Sequence, residues 1–262
     1  MKKENLIFLD TETTGNDTLT DRLCQVCYKV HDKFYTEFFK PPVPISIKSM
    51  SITHITNKMV DDKESFIGSK IYKDLDGLLK ENILVAHNAK FDIAILEAEG
   101  LKVPNSICTL RLARHLDKND EIPEYNLQYL RYYYGLEIEG NAHDAEGDVK
   151  VLESLFDVFY KQFEEQLGGK DGVKKVEIKK EQTDLFSGVK KENGDDKIIS
   201  EMIDISSRPS LLNKMPFGKY VGINLEELAK KDPNYLQWLL VQKEQDEDED
   251  WIYSLKFWLK LK

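Results

Sequence analysis

An α/β fold is the class this sequence predicts. Two short apolar runs, residues 6–9 (Leu-Ile-Phe-Leu) and 83–86 (Ile-Leu-Val-Ala), each end at a polar turn, as buried strands do. Residues 23–30 alternate as a third strand. Apolar residues recur at helical spacing through Phe91, Ile93, Ala94, Leu96 and Ala98, and again through Val149, Leu152, Leu155, Phe156 and Phe159.

The first run is bounded by the Gly-containing turn Thr13-Thr14-Gly15, and Asp10 and Glu12 follow its last apolar residue. Strand side chains alternate faces, so these two point the same way, about 6–7 Å apart along the strand. Paired carboxylates repel each other unless protons or cations hold them, and all-oxygen ligands suit Mg²⁺ or Mn²⁺ rather than Zn²⁺. Two solvated acids at an exposed strand end are the alternative.

In the second strand Cys24 and Cys27 are three apart and so face opposite sides, poorly placed to share an ion. No second Cys-x-x-Cys follows, and these two with Cys108 are read as structural thiols of a reducing compartment. After 83–86 the segment His87-Asn88-Ala89-Lys90 leads into a helix that Gly100 stops. Asp92 falls in its first turn, where a carboxylate also suits the helix dipole.

His143 precedes the last periodic helix, Asp144 is its expected N-cap, and Asp148 lies on its N-terminal part. The pair can approach one site if His143 sits on the preceding loop. A lone histidine at a helix start is more often structural. Together, four carboxylates and a histidine in FLDTETTG, AHNAKFD and HDAEGD point to a two-metal phosphodiesterase site.

These three blocks resemble the exonuclease motifs of the DnaQ-like (DEDD) 3′–5′ exonuclease superfamily. The five-residue step from His143 to Asp148 resembles its DEDDh branch, and the similarity runs from about residue 6 to about 160. The resemblance implies a ribonuclease-H-like fold with a central mixed sheet and flanking helices. It implies that Asp10, Glu12 and Asp148 ligate the ion binding the attacking water. On the same pattern Asp10 bridges to a second Mg²⁺ or Mn²⁺, and Asp92 acts mostly through a coordinated water. His143, with an ordinary pKa near about 6.5, is then the base that takes the water's proton. The substrate is expected to meet Thr13, Thr14, Gly15, Thr53, His54, Asn88 and Phe91.

Residues 45–56 resemble the family helix that lines the terminal-nucleotide pocket, but relatives usually carry Glu at the position of Lys48 and His at that of Thr53. Lys48 is read as an ordinary solvated helix residue. Activity on DNA 3′ ends, single-stranded or frayed, in repair or replication is the expectation. An RNA-trimming exonuclease, a polymerase proofreading subunit and a non-catalytic adaptor are the alternatives.

The chain has 262 residues, a net charge of −10 and 41% hydrophobic residues, enough for one substantial core and a smaller unit. An acidic chain is not an obvious nucleic-acid binder, so modest, distributive binding is expected unless a partner adds residence time. No run approaches the roughly 20 apolar residues of a membrane span, and the N-terminal apolar run is too short for a secretory signal. A cytoplasmic location with no membrane partner is expected.

The exonuclease domain is assigned to 1–165, a flexible charged linker to 166–197 and a small α+β module to 198–262. Within the linker, Gln182-Thr183-Asp184-Leu185-Phe186 resembles the bacterial sliding-clamp-binding peptide. Gln182, Asp184, Leu185 and Phe186 would make the contacts, and tethering would raise the local concentration at DNA. Residues 215–240 resemble the C-terminal module of exodeoxyribonuclease X-like proteins. There Phe217, Tyr220, Trp238 and Leu239 are read as a small core, with stacking on single-stranded bases by Phe-Gly-Lys-Tyr as the rival. The acidic run 244–250 is expected to open a last helix and to turn DNA away from that face.

Overall fold

The computed structural model describes residues 5–138, 145–168 and 194–261. Five strands form one mixed sheet: β1 (Leu6–Thr13), β2 (Leu23–Val30), β3 (Lys33–Phe38), β4 (Ile83–Ala86) and β5 (Ser106–Cys108), in the order β3-β2-β1-β4-β5. The first three are antiparallel neighbours, and β4 and β5 run parallel to β1. This is the mixed sheet the resemblance implies.

Helices cover both faces because β1 alternates between two cores. Ile7 and Leu9 join Val26, Tyr28 and Leu84 beneath α3 (Lys70–Glu81) and α4 (Ala89–Ala98). Leu6 and Phe8 join Ile83, Val85 and Ile107 beneath α5 (Thr109–Leu116), α6 (Leu127–Tyr133) and α7 (Ala145–Gly168). Two short helices, α1 (Ile47–Thr53) and α2 (Asn57–Val60), pack Met50 and Val60 into a small cluster with Cys24 of β2.

β1 runs four residues past Leu9, because Asp10 through Thr13 stay paired with β2, with a register shift at Glu12/Thr13. Sheet pairing here outweighs the weak strand preference of Asp and Glu. Cys24 and Cys27 are buried, form no disulfide and sit in different clusters, on opposite faces as expected. Burial pushes the Cys24 thiol up to about 12, consistent with an inert role.

The expected linker narrows at both ends, since α7 runs to Gly168 and α8 (Gly194–Ser207) begins before 198. Moreover, Ile198, Ile199, Met202 and Ile205 of α8 belong to the α7 core rather than to a separate module. The second unit starts after α8 and contains a 3-10 turn (Gly218–Tyr220), α9 (Leu225–Lys231), α10 (Pro233–Gln245) and α11 (Glu249–Trp258). Its core holds Met215, Leu225, Leu228, Leu236, Leu239, Trp251 and Leu255.

Two expected members of that core depart from it. Phe217 and Trp238 are 40% and 55% exposed, because the leucines of α9 to α11 close the interior without them. Asp248 caps α11 by accepting the Trp251 N–H, so the acidic run does open the last helix. Among the described residues no helix is long and apolar enough to cross a membrane.

Candidate active site

The position of the site follows from one packing contact. Phe8 of β1 meets Phe156 of α7 edge to face at 5.5 Å between ring centroids. From Phe8 to Glu12 the strand advances about 13 Å. From Phe156 back to Asp148 the helix retreats about 12 Å. The same face that carries Leu6 and Phe8 into the core therefore presents Asp10 and Glu12 to the first turn of α7. One carboxylate oxygen each from Asp10, Glu12 and Asp148 lies within 4.8 Å of the others.

Asp92 arrives from the opposite side. The β1–β4 pairing ends at Phe8–Val85, so the Thr11 backbone has no β4 partner. Asp92, buried in the first turn of α4, takes that place: its Oδ1 accepts the Thr11 N–H at 3.1 Å and the Thr11 hydroxyl at 2.7 Å. Asn88 begins α4 in the left-handed region, φ 62°, which Asn tolerates better than most residues.

The carboxylates are crowded enough to resist ionisation. Burial, then the charges of Asp92, Glu12 and Asp148, hold Asp10 well above the usual carboxylate range. Burial, then Asp148 and Asp92, push Glu12 up to about 7. Asp92 is also raised to about 7 by burial, against the pull of its bonds from Thr11. Such a set favours either shared protons or bound cations.

A cleft of about 330 Å³ adjoins Glu12. Thr13, Gly15, Thr53 and Phe91 of the expected substrate residues line it, along with Lys48, Ser49 and Ile52. Lys48 is exposed, as expected, but stands at the cleft rather than on a remote face. Thr14, His54 and Asn88 are placed otherwise. Thr14 is buried and donates its hydroxyl to Asp21 at 2.7 Å, and His54 is the exposed left-handed C-cap of α1. A Cβ at Gly15 would stand 2.4 Å from Asp21 Oδ2, so a larger residue there would have to displace the carboxylate that Thr14 holds.

His143 and Asp144 lie outside the described residues, as do Gln182, Asp184, Leu185 and Phe186. The histidine that is described near the site, His87, is structural. A carbonyl only accepts, so Nε2–H donates to Tyr125 O at 2.8 Å and Nδ1 accepts the Thr109 hydroxyl at 2.9 Å. Burial holds this ring neutral, with its pKa lowered to about 4.

Sequence reasoning missed Gln128 of α6, whose amide donates to Asp148 Oδ1 at 2.5 Å and is braced by Arg131 at 3.3 Å. It also missed Ser49, whose hydroxyl donates to Thr13 O at 2.5 Å and ties α1 to the end of β1. Neither residue has a local signal, because both act across elements far apart in the chain.

The family model described as Exonuclease matches residues 7–156, more than half of the chain. The chain belongs to the DnaQ-like exonuclease family. A second model, the exodeoxyribonuclease X-like C-terminal domain, matches residues 215–244 of this exonuclease. DNA polymerase III subunit epsilon of Treponema pallidum (strain Nichols) is 34% identical over 159 residues, 56% of this chain and 72% of the relative. Exodeoxyribonuclease 10 of Escherichia coli (strain K12) is 29% identical over 209 residues, 76% of this chain and 73% of the relative.

Among solved structures, E. coli exonuclease I in complex with a dT13 oligonucleotide aligns with TM-score 0.52 at 19% identity. The alignment covers 63% of this chain and 42% of that one, and shows the shared fold. The family uses divalent metals, and the donors here fit them: three converging carboxylates, all oxygen, whose mutual repulsion a cation relieves.

Proposed function

We propose that this exonuclease releases nucleoside 5′-monophosphates from DNA 3′ ends, in repair or replication, using two Mg²⁺ or Mn²⁺ ions. The observation that supports this best is the convergence of Asp10, Glu12 and Asp148 at the carboxyl end of β1, beside a cleft large enough for one nucleotide. Asp10, Glu12 and Asp148 would hold one ion. Asp10 feels the charge of all three other carboxylates, so it is suited to share itself with a second ion near Asp92. Bound metal supplies an activated water and neutralises charge at the leaving 3′-oxygen.

The chain's own residues orient these groups. Thr11 pins Asp92, Gln128 pins Asp148, and Phe91 with Ile52 offers apolar surface to a terminal base. His143 as the proton acceptor rests on its sequence position. DNA as the substrate is supported by the names of two relatives, exodeoxyribonuclease 10 and the polymerase III epsilon subunit.

Matched 5′-labelled single-stranded DNA and RNA, with Mg²⁺ or Mn²⁺, test the reading against an Asp148→Ala control. A metal-dependent ladder shortening from the 3′ end of DNA, absent in the control, is the expected result. Preference for RNA would move the same site to RNA processing, and full activity in Asp148→Ala would reject the site.

The same reading keeps the nuclease domain at 1–165, joined by α8, the linker within 166–197 and the C-terminal module beyond it, in a cytoplasmic protein. It assigns Gln182, Asp184, Leu185 and Phe186 to a bacterial sliding clamp, on sequence alone. Replacing Leu185 and Phe186 by Ala is expected to abolish co-elution with the clamp while cleavage of free oligonucleotides is unchanged. Retained co-elution would reject the partner.

A further inference from the structure

Strands β1, β4 and β5 run parallel, so their carboxyl ends share one edge of the sheet. Asp10 and Glu12 stand on that edge at β1. The first turns of α4 and α5, which follow β4 and β5, carry Lys90 and Arg111. With strands about 4.8 Å apart, β5 lies only about 10 Å from β1.

The C-terminal unit is fixed at these two turns. Lys90 donates to Glu247 O at 2.8 Å and lies 3.4 Å from Glu249. Arg111 pairs with Glu249 at 3.0 Å and Asp250 at 3.1 Å, and Arg114 pairs with Asp250. The unit is therefore held at the catalytic edge.

From this seam a run of rings leads outward. Trp251, next to Asp250, meets Phe217 at 5.4 Å. Phe217 begins the Phe-Gly-Lys-Tyr tip, which hydrogen bonds close from Met215 N to Ile223 O and from Gly222 N to Met215 O. Tyr220 meets Tyr235 at 5.0 Å, and Tyr235 meets Trp238 at 5.7 Å. Phe217 and Trp238 face solvent although the unit's core is complete without them.

Lys219 Nζ lies 4.4 Å and 5.0 Å from the ring centroids of Tyr220 and Tyr235. Asp232 faces the same group, accepting the Tyr220 hydroxyl at 2.6 Å and lying 3.5 Å from Lys219. Exposed flat rings edged by an ammonium match the chemistry of an unpaired nucleic-acid strand, whose bases stack while a phosphate meets the cation.

We infer that Phe217, Lys219, Tyr220 and Trp238 form a second binding site for single-stranded DNA, holding the strand upstream of the end being cut. The inference rests on the proposed DNA 3′-end activity for its substrate, but its test does not need cleavage. Fluorescein-labelled dT20 is titrated with the full chain in EDTA, and KM and kcat for dT20 and dT3 are measured separately with Mg²⁺.

The Phe217→Ala/Trp238→Ala pair, and Trp238→Ala alone, are expected to weaken dT20 binding by about tenfold or more for the pair. KM for dT20 should rise in parallel, with kcat and the dT3 KM unchanged, because dT3 is too short to span both sites. Lys219→Ala should flatten the salt dependence of dT20 binding. Binding of dT20 within twofold of the parent would overturn the inference, as would equal losses on dT3 and dT20. Trp238-dependent dT20 binding by a chain that cuts no DNA would uphold this site while the nuclease reading fell.

Discussion

Glu12 and Asp92 have pKa values pushed to about 7, and Asp10 is raised too, chiefly by burial. In the unfolded chain these groups titrate near about 4. Between about pH 4 and 7 the metal-free folded state therefore binds more protons than the unfolded state. The unfolding free energy must then fall as pH rises through that window, the reverse of the usual salt-bridged carboxylate. Metal-free protein is expected to melt at a higher temperature near about pH 5.5 than near about pH 8. Mg²⁺ should raise the melting temperature more at the higher pH, since ion and protons compete for the same oxygens. Calorimetry in EDTA and in Mg²⁺ checks both, and Asp10→Asn should remove much of the pH dependence. A metal-free melting temperature that is flat or rises across this window would contradict the crowded-carboxylate account.

The pH behaviour belongs to side chains, but the elements that bring them together were legible to different degrees. β2, β4 and α4 match their sequence patterns closely, because alternation and helical spacing are local. Asp10, Glu12 and Asp148 were legible for the same reason: same-face spacing on a strand and the first turn of a periodic helix. The apolar run ends at Leu9, but the turn at Thr13 marks where β1 stops, and Asp10 to Thr13 hold strand geometry through β2. α8 carries a plain apolar stripe, Ile198, Ile199, Met202 and Ile205, yet a stripe does not say which core it enters, and it enters that of α7. Gln128 and Ser49 act on groups 20 and 36 residues away, so no local pattern could have flagged them. Residue type alone points Phe217 and Trp238 to a core, and the leucines around them make that unnecessary.

Across the whole molecule, the join between the two units decides whether the rings of the C-terminal unit stay near the carboxylates. Two contacts of unequal weight make that join. Asp250 has a side chain only 11% exposed, facing Arg111 at 12% and Arg114 at 21%, and it also accepts the Ser210 N–H at 2.9 Å. Glu249 is 53% exposed and meets Lys90 and Arg111 at the rim. Removing Asp250 leaves the nearly buried Arg114 without its ion-pair partner and Arg111 with only the exposed Glu249 and the Ser206 carbonyl, which costs about 3–5 kcal/mol. Removing Glu249 costs about 1 kcal/mol or less, because water replaces it. Asp250→Ala should therefore lower the melting temperature by at least about 6 °C, at about 2 °C per kcal/mol for a chain of this size. Glu249→Ala should shift it by no more than about 2 °C. With the seam open, calorimetry is expected to resolve two transitions, one for the sheet with its helices and one for the α9 to α11 unit. If Asp250→Ala and Glu249→Ala shift the melt equally, the seam is an ordinary surface contact, and the ring face is not held at the catalytic edge.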